Sequence, residues 1–129
     1  MPHLSIQYSR NLEATVDLEA LCEAVRLAAL ASGLFEIGAI RVRAVACSHY
    51  AIADIAPQNA FLDLEVRIGT GRSAEEKAAL GKRLMAVLEG VLAAPLASRH
   101  FALSCEIREI DPVFSWRRNA IHERLRAAN

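Results

Sequence analysis

Proline stands at position 2, directly behind Met1, and opens the alternating stretch His3-Leu4-Ser5-Ile6-Gln7-Tyr8. A small second residue commonly permits removal of Met1, and the chain then begins with a secondary amine fixed at the end of a strand. An α-amino group titrates near ~7.7–8.0, and burial or nearby cations lower that value. Such an amine is neutral at physiological pH and can act as a base. On position alone, Pro2 reads as nothing more than a second residue; its company gives it meaning. Arg41 and Arg43 alternate with apolar neighbours on a second strand. Arg72 ends the turn Gly69-Thr70-Gly71-Arg72 before a helix, where a guanidinium can meet a carboxylate with two parallel bonds. Taken singly, each arginine reads as a solvated surface residue.

Other chemistries find less support. The glycine-rich turn can hold an anion at the following helix N-terminus. It lacks the Walker lysine and the full dinucleotide fingerprint, so a nucleotide site is not indicated. No Gly-x-Ser-x-Gly motif marks a hydrolase. The four histidines, His3, His49, His100 and His122, have no metal-ligand spacing with one another or with the cysteines. Cys22, Cys47 and Cys105 are odd in number and far apart, which suits reduced thiols in a cytoplasm.

The bulk properties narrow the class. A chain of 129 residues is expected to form one domain, spanning 1–129. Its 15 basic and 15 acidic residues cancel, so no global positive field attracts nucleic acid. Hydrophobic residues reach 53% while aromatics are only 5%, which implies an aliphatic core with apolar surface left for a subunit interface. No apolar run approaches the ~20 residues needed to span a bilayer, and no signal peptide is evident.

The elements that must position Pro2 and the arginines follow from periodicity. Leu4, Ile6 and Tyr8 share one face of a half-buried strand over 2–8. Leu18, Leu21, Cys22, Val25, Ala28 and Ala29 mark a helix within 15–32, capped by Thr15 or Asp17 and stopped by Gly33. A strand over 40–47 carries the two arginines, and a loop occupies 48–59. Leu62, Leu64, Val66 and Ile68 alternate with Asp63, Glu65 and Arg67 in the clearest strand of the chain. Ser73 and Glu76 form a capping box, opening a helix that Pro95 is expected to end. A strand over 101–110 and a short helix over 116–126 complete the chain. Strand–helix–strand thus occurs twice, in halves of about 1–58 and 59–129. Each crossover places its strands parallel, so the expected architecture is α+β: one four-stranded sheet with two helices on one face, plus a short C-terminal helix. The second face calls for a cover, which points to an oligomer.

At this point the sequence resembles a known group. The run Ile68 to Lys77, with Gly71-Arg72-Ser73 at its centre, and the later Ala94-Pro95-Leu96-Ala97-Ser98 resemble the tautomerase superfamily. Met1-Pro2-His3, the strand Gly38 to Arg43 and the strand Ala102-Leu103-Ser104-Cys105-Glu106-Ile107 resemble, more narrowly, the 5-carboxymethyl-2-hydroxymuconate isomerase family. The likeness covers nearly the whole chain. It implies tandem β-α-β units, a homotrimer with pseudo-sixfold packing, and no metal or organic cofactor. It implies Pro2 as acid–base catalyst, with Arg41 matching the second-strand arginine and Arg72 that of the Gly-Arg-Ser turn. The implied activity interconverts 2-hydroxy-dienoate and 2-keto-enoate forms of a 5-carboxymethyl-2-hydroxymuconate-type acid, a small carboxylate substrate. A tautomerase for another unsaturated keto acid, or a trimeric binding protein of the same fold without chemistry, is the alternative. The second half has Leu62 where its own proline would stand and His100 where it would repeat the strand arginine, so a single site per chain is expected.

Overall fold

The alternation near the N-terminus produces strand β1, His3–Ser9, in which Leu4 and Ile6 are fully buried and Tyr8 nearly so. A computed structural model describes residues 1–128. A short 3-10 turn over Arg10–Ala14 follows. Helix α1, Leu18–Ala31, opens on Asp17, whose carboxylate accepts the Ala20 N–H at 3.1 Å; Thr15 does not serve as the cap. Gly33 takes φ +75° just past the helix end, a left-handed conformation that glycine adopts without a Cβ clash. Strand β2 is Arg41–Cys47 and strand β3 is Ala60–Ile68.

Helix α2, Ala74–Val91, starts as the capping box requires: Ser73 Oγ accepts from Glu76 N–H at 3.1 Å, and Glu76 Oε1 accepts from Ser73 N–H at 2.9 Å. Its end differs from expectation. The helix stops at Val91, before Pro95, and Pro95 lies inside a second short helix, α3, Ala93–Ala97. Proline is tolerated there because the first-turn N–H groups of a helix have no intrahelical acceptor. Strand β4 is Phe101–Glu109. The last helix, α4, is Ala120–Ala127 rather than 116–126; residues 110–119 run as an irregular arm across the surface.

The sheet order is β2-β1-β3-β4. The β1–β2 and β3–β4 pairs are parallel, as the two crossovers require, and β1 meets β3 antiparallel at the centre. The core lies between the sheet and its two long helices. Leu4, Ile6, Leu62, Leu64, Val66 and Ile68 from the sheet bury completely, together with Leu21 and Val25 of α1 and Leu80, Leu84 and Leu88 of α2. Each such side chain contributes about 1.5–3 kcal/mol by leaving water. The opposite face of the sheet is polar, with Ser104 donating to Asp63 at 2.7 Å and Arg108 lying 3.8 Å from Glu65. Large exposed apolar side chains gather instead on the arm, where Phe114 and Trp116 are 73% and 84% exposed.

Candidate active site

The register of β1 against β2 places His3 opposite Arg41 and Ser5 opposite Arg43. The antiparallel register of β1 against β3 places His3 opposite Arg67. Because side chains alternate across a strand, the imidazole and all three guanidinium groups share the helix-free face at the end of the sheet where the chain begins. His3 Nε2 lies 3.5 Å from Arg41 Nη2, and Nδ1 lies 3.3 Å from Arg43 Nη1. Burial and the cations Arg41, Arg67 and Arg43 lower the His3 pKa from 6.5 to about 4, so the ring is neutral at physiological pH.

Pro2 is buried at the foot of β1, and Met1 is half-buried above it. Met1 borders two cavities of about 370 and 180 Å³. Arg117 of the arm borders both as well. The terminal amine sits below its ordinary value of 8.0, first through burial and then through Arg117, Arg72 and Arg41. Here the amine belongs to Met1; Pro2 nitrogen is one residue further in.

Arg72 is held firmly. Its Nη2 donates to Leu34 C=O at 3.0 Å and its Nη1 to Gly69 C=O at 3.3 Å, while its guanidinium lies 4.9 Å from the centroid of the Phe35 ring. These contacts tie the turn before α2 to the segment after α1, and they leave other guanidinium donors free. The turn itself needs Gly71, at φ +106°. Arg41 has a buried Nε with no partner, an N–H whose desolvation costs about 1–3 kcal/mol until an acceptor reaches it.

Among the described residues, none of Arg41, Arg43, Arg67, Arg72 and Arg117 makes an ion pair. In a chain with balanced charge, five such arginines around its first three residues give this end of the sheet a local excess of positive charge, which attracts anions. The structure places Pro2, Arg41 and Arg72 at one end of the sheet, around the terminal amine. His3, Arg67 and Arg117 join them unforeseen. For Arg117, the available signal was the basic pair Arg117-Arg118 ahead of the helix-capping Asn119.

Leu62 is an interior residue of β3, fully buried and paired with Tyr8. His100 precedes β4, with Nδ1 3.0 Å from Asn59 Oδ1. Neither offers an amine or a guanidinium. A larger concavity, about 460 Å³, lies between α2 and β4. Its thiol, Cys105, is pushed up to about 11 by burial, Asp63 and Glu106, and is therefore unreactive as a nucleophile. Among the described residues, no group of three or more His, Cys, Asp and Glu side chains gathers to hold a metal ion.

Comparison with known proteins identifies the family. The family model described as 5-carboxymethyl-2-hydroxymuconate isomerase matches residues 2–125. A 5-carboxymethyl-2-hydroxymuconate Delta-isomerase of Escherichia coli is 32% identical over 122 residues, covering 95% of this chain and 97% of its own. The crystal structure of a 5-carboxymethyl-2-hydroxymuconate isomerase from Deinococcus radiodurans R1 superposes with a TM-score of 0.90 at 40% identity, covering 96% of this chain and 93% of that one. The fold extends to a fused 4-OT, described as an asymmetric trimer, with a TM-score of 0.63 at 16% identity over 95% of this chain and 98% of that one. The chain therefore belongs to the 5-carboxymethyl-2-hydroxymuconate isomerase family of the tautomerase fold, and it is an isomerase.

Proposed function

We propose that this isomerase interconverts the 2-hydroxy-dienoate and 2-keto-enoate forms of a 5-carboxymethyl-2-hydroxymuconate-type acid, and that Pro2, once Met1 is removed, is its acid–base catalyst. The observation that carries this reading is the placement of Pro2, buried at the foot of β1 directly behind a terminal amine whose pKa is lowered first by burial and then by Arg117, Arg72 and Arg41, none of which has an acidic partner among the described residues. A neutral secondary amine takes a proton from the substrate hydroxyl or carbon. The ammonium so formed returns it to a carbon of the conjugated system, or in the reverse direction to the 2-oxygen, so the double bonds shift and no atom is gained or lost. A base matched to the working pH serves both halves of this transfer.

Negative charge grows on the 2-oxygen as the dienolate forms. A guanidinium there stabilises the transition state more than the ground state. Arg41 and Arg72 divide the two remaining tasks, polarising the 2-keto/carboxylate end and anchoring a distal carboxylate. The unsatisfied Nε of Arg41 and the free donors of Arg72 support both tasks. Exposed Phe114, Trp116, Val113 and Val45 support burial of further surface in a homotrimer, and the unbridged thiols of Cys22, Cys47 and Cys105 suit a cytoplasmic setting. The whole chain acts as one tautomerase-like domain.

The decisive experiment combines intact mass with kinetics. Protein lacking Met1 is expected to isomerise muconate-type 2-hydroxy acids, and Pro2→Ala to lose most of that rate. A Pro2→Ala enzyme as fast as the wild type, or full activity in protein shown to retain Met1, would remove Pro2 from catalysis. In the latter case Pro2 nitrogen is an amide and holds no proton-accepting lone pair.

A further inference from the structure

The arm between β4 and α4 is pinned at both ends. At its start, Ile110 N–H donates to Ile68 C=O at 2.8 Å, Asp111 accepts from Val113 N–H at 2.8 Å, and Ser115 Oγ donates to Asp111 C=O at 2.7 Å. At its end, Asn119 caps α4 by accepting from His122 N–H at 3.0 Å, and its Nδ2 donates to Gly38 C=O at 2.8 Å. Arg126 then grips Glu36 through two bonds of 2.8 and 2.6 Å, with His122 Nε2 3.4 Å from the same carboxylate. A Cβ on Gly38 would lie 2.6 Å from His122 Cα, so helix and turn meet as closely as glycine alone permits. Two residues before this clamp comes Arg117.

Arg117 is exposed, makes no ion pair or hydrogen bond among the described residues, and lies on both cavities that flank Met1. Arg126, on the larger cavity, is already neutralised by Glu36. The smaller cavity is walled by Gly69 and Thr70 of the turn that carries Arg72. Removal of Met1 would open the space between the two cavities, with Pro2 below and Arg117 beside it. A substrate with two carboxylates can be held by Arg41 and Arg72; one with three needs a further cation.

We propose that Arg117 is a substrate-binding residue that receives an additional carboxylate of the substrate, and so makes this site selective for tricarboxylates over dicarboxylates. This rests on the function proposed above, and its test does not depend on turnover. Arg117 is exposed, so its pairing with the added carboxylate is expected to raise affinity by about two- to fivefold. Calorimetric titration of Met1-free protein with a saturated, non-isomerisable tricarboxylate and the matching dicarboxylate is expected to show about that preference in the wild type. Arg117→Gln is expected to lower tricarboxylate affinity more than dicarboxylate affinity, so that the preference is lost, while thermal unfolding is unchanged, and Arg117→Lys to restore part of the preference. A preference that survives in Arg117→Gln, or no preference in the wild type, would overturn the assignment. Absence of isomerisation by wild-type protein, with this binding difference intact, would instead refute the catalytic reading alone.

Discussion

His3 Nδ1 lies 3.3 Å from Arg43 Nη1, a nitrogen facing a cation with no carboxylate between them. A neutral imidazole has one acceptor nitrogen, and Arg41 stands at its other nitrogen. Protonation would set a third positive charge between the two guanidinium groups, with Arg67 and the terminal amine nearby. The ring titrates near 6.5 when unfolded and about 4 when folded. As pH falls through that window, the unfolded chain binds a proton that the folded one refuses. Stability attributable to His3 is therefore complete above 6.5 and lost toward 4. His3→Gln, which keeps an acceptor but cannot titrate, is expected to shrink the loss of stability between pH 6.5 and 4. Denaturant unfolding across that range checks this; superimposable profiles for the two proteins would refute it.

The terminal amine has the same sign. Its pKa is lowered first by burial, then by Arg117, Arg72 and Arg41. Removal of Met1 leaves the Pro2 amine beside the same arginines, and a protonated amine cannot take a proton from substrate, so kcat/KM is expected to fall on the acid side as that amine is protonated. Arg117→Gln removes the largest of the three charge contributions and is expected to move that limb upward. A limb that stays in place would show that Arg117 does not act on the amine. Pro2→Ala is expected to reduce kcat/KM by about a hundredfold or more, the usual loss when a positioned base is displaced.

Arg72 carries a structural duty along with its proposed chemical one. Arg72→Ala removes two bonds to carbonyls, at Leu34 and Gly69, and the cation over Phe35. The expected cost is about 1–3 kcal/mol of stability, since the abandoned carbonyls are partly buried, together with a loss of rate or affinity. Arg72→Lys keeps the charge but cannot reach both carbonyls with one planar fork. Thermal unfolding and kinetics on both variants separate the duties. Unchanged kinetics in a folded Arg72→Ala protein would remove Arg72 from the site.

Periodicity alone located every strand and both long helices to within a few residues, because the core is built on alternation in β1 and β3 and on three-and-four spacing in α1 and α2. Two features were illegible for physical reasons. Pro95 reads as a stop, yet in the first turn of a new helix it has no bond to break. The arm over 110–119 has no period, and its placement depends on contacts with Gly38 and Glu36, some 80 to 90 residues earlier. Arg41 and Arg72 were legible because each sits in a short motif on a predicted element. His3, Arg67 and Arg117 were not, since strand register and the arm's path bring them to the amine.

That dependence of Arg117 on a distant glycine is itself testable. In Gly38→Ala the new methyl meets His122 Cα at 2.6 Å, a backbone atom that no rotamer change can move aside. The helix must shift or detach, at a cost of about 1–3 kcal/mol. The contacts at risk are the Asn119 bond to Gly38 and the Arg126–Glu36 pair. Amide exchange in Ala120–Ala127 is expected to quicken while exchange in β1 and β3 stays slow, because the central strands pack without help from α4. Tricarboxylate affinity is expected to fall with it, although Gly38 bears no side chain to touch a ligand. Faster exchange in α4 with no change in tricarboxylate affinity would show that Arg117 reaches its ligand without the clamp, and unchanged exchange would show that the turn at Gly38 yields instead of the helix.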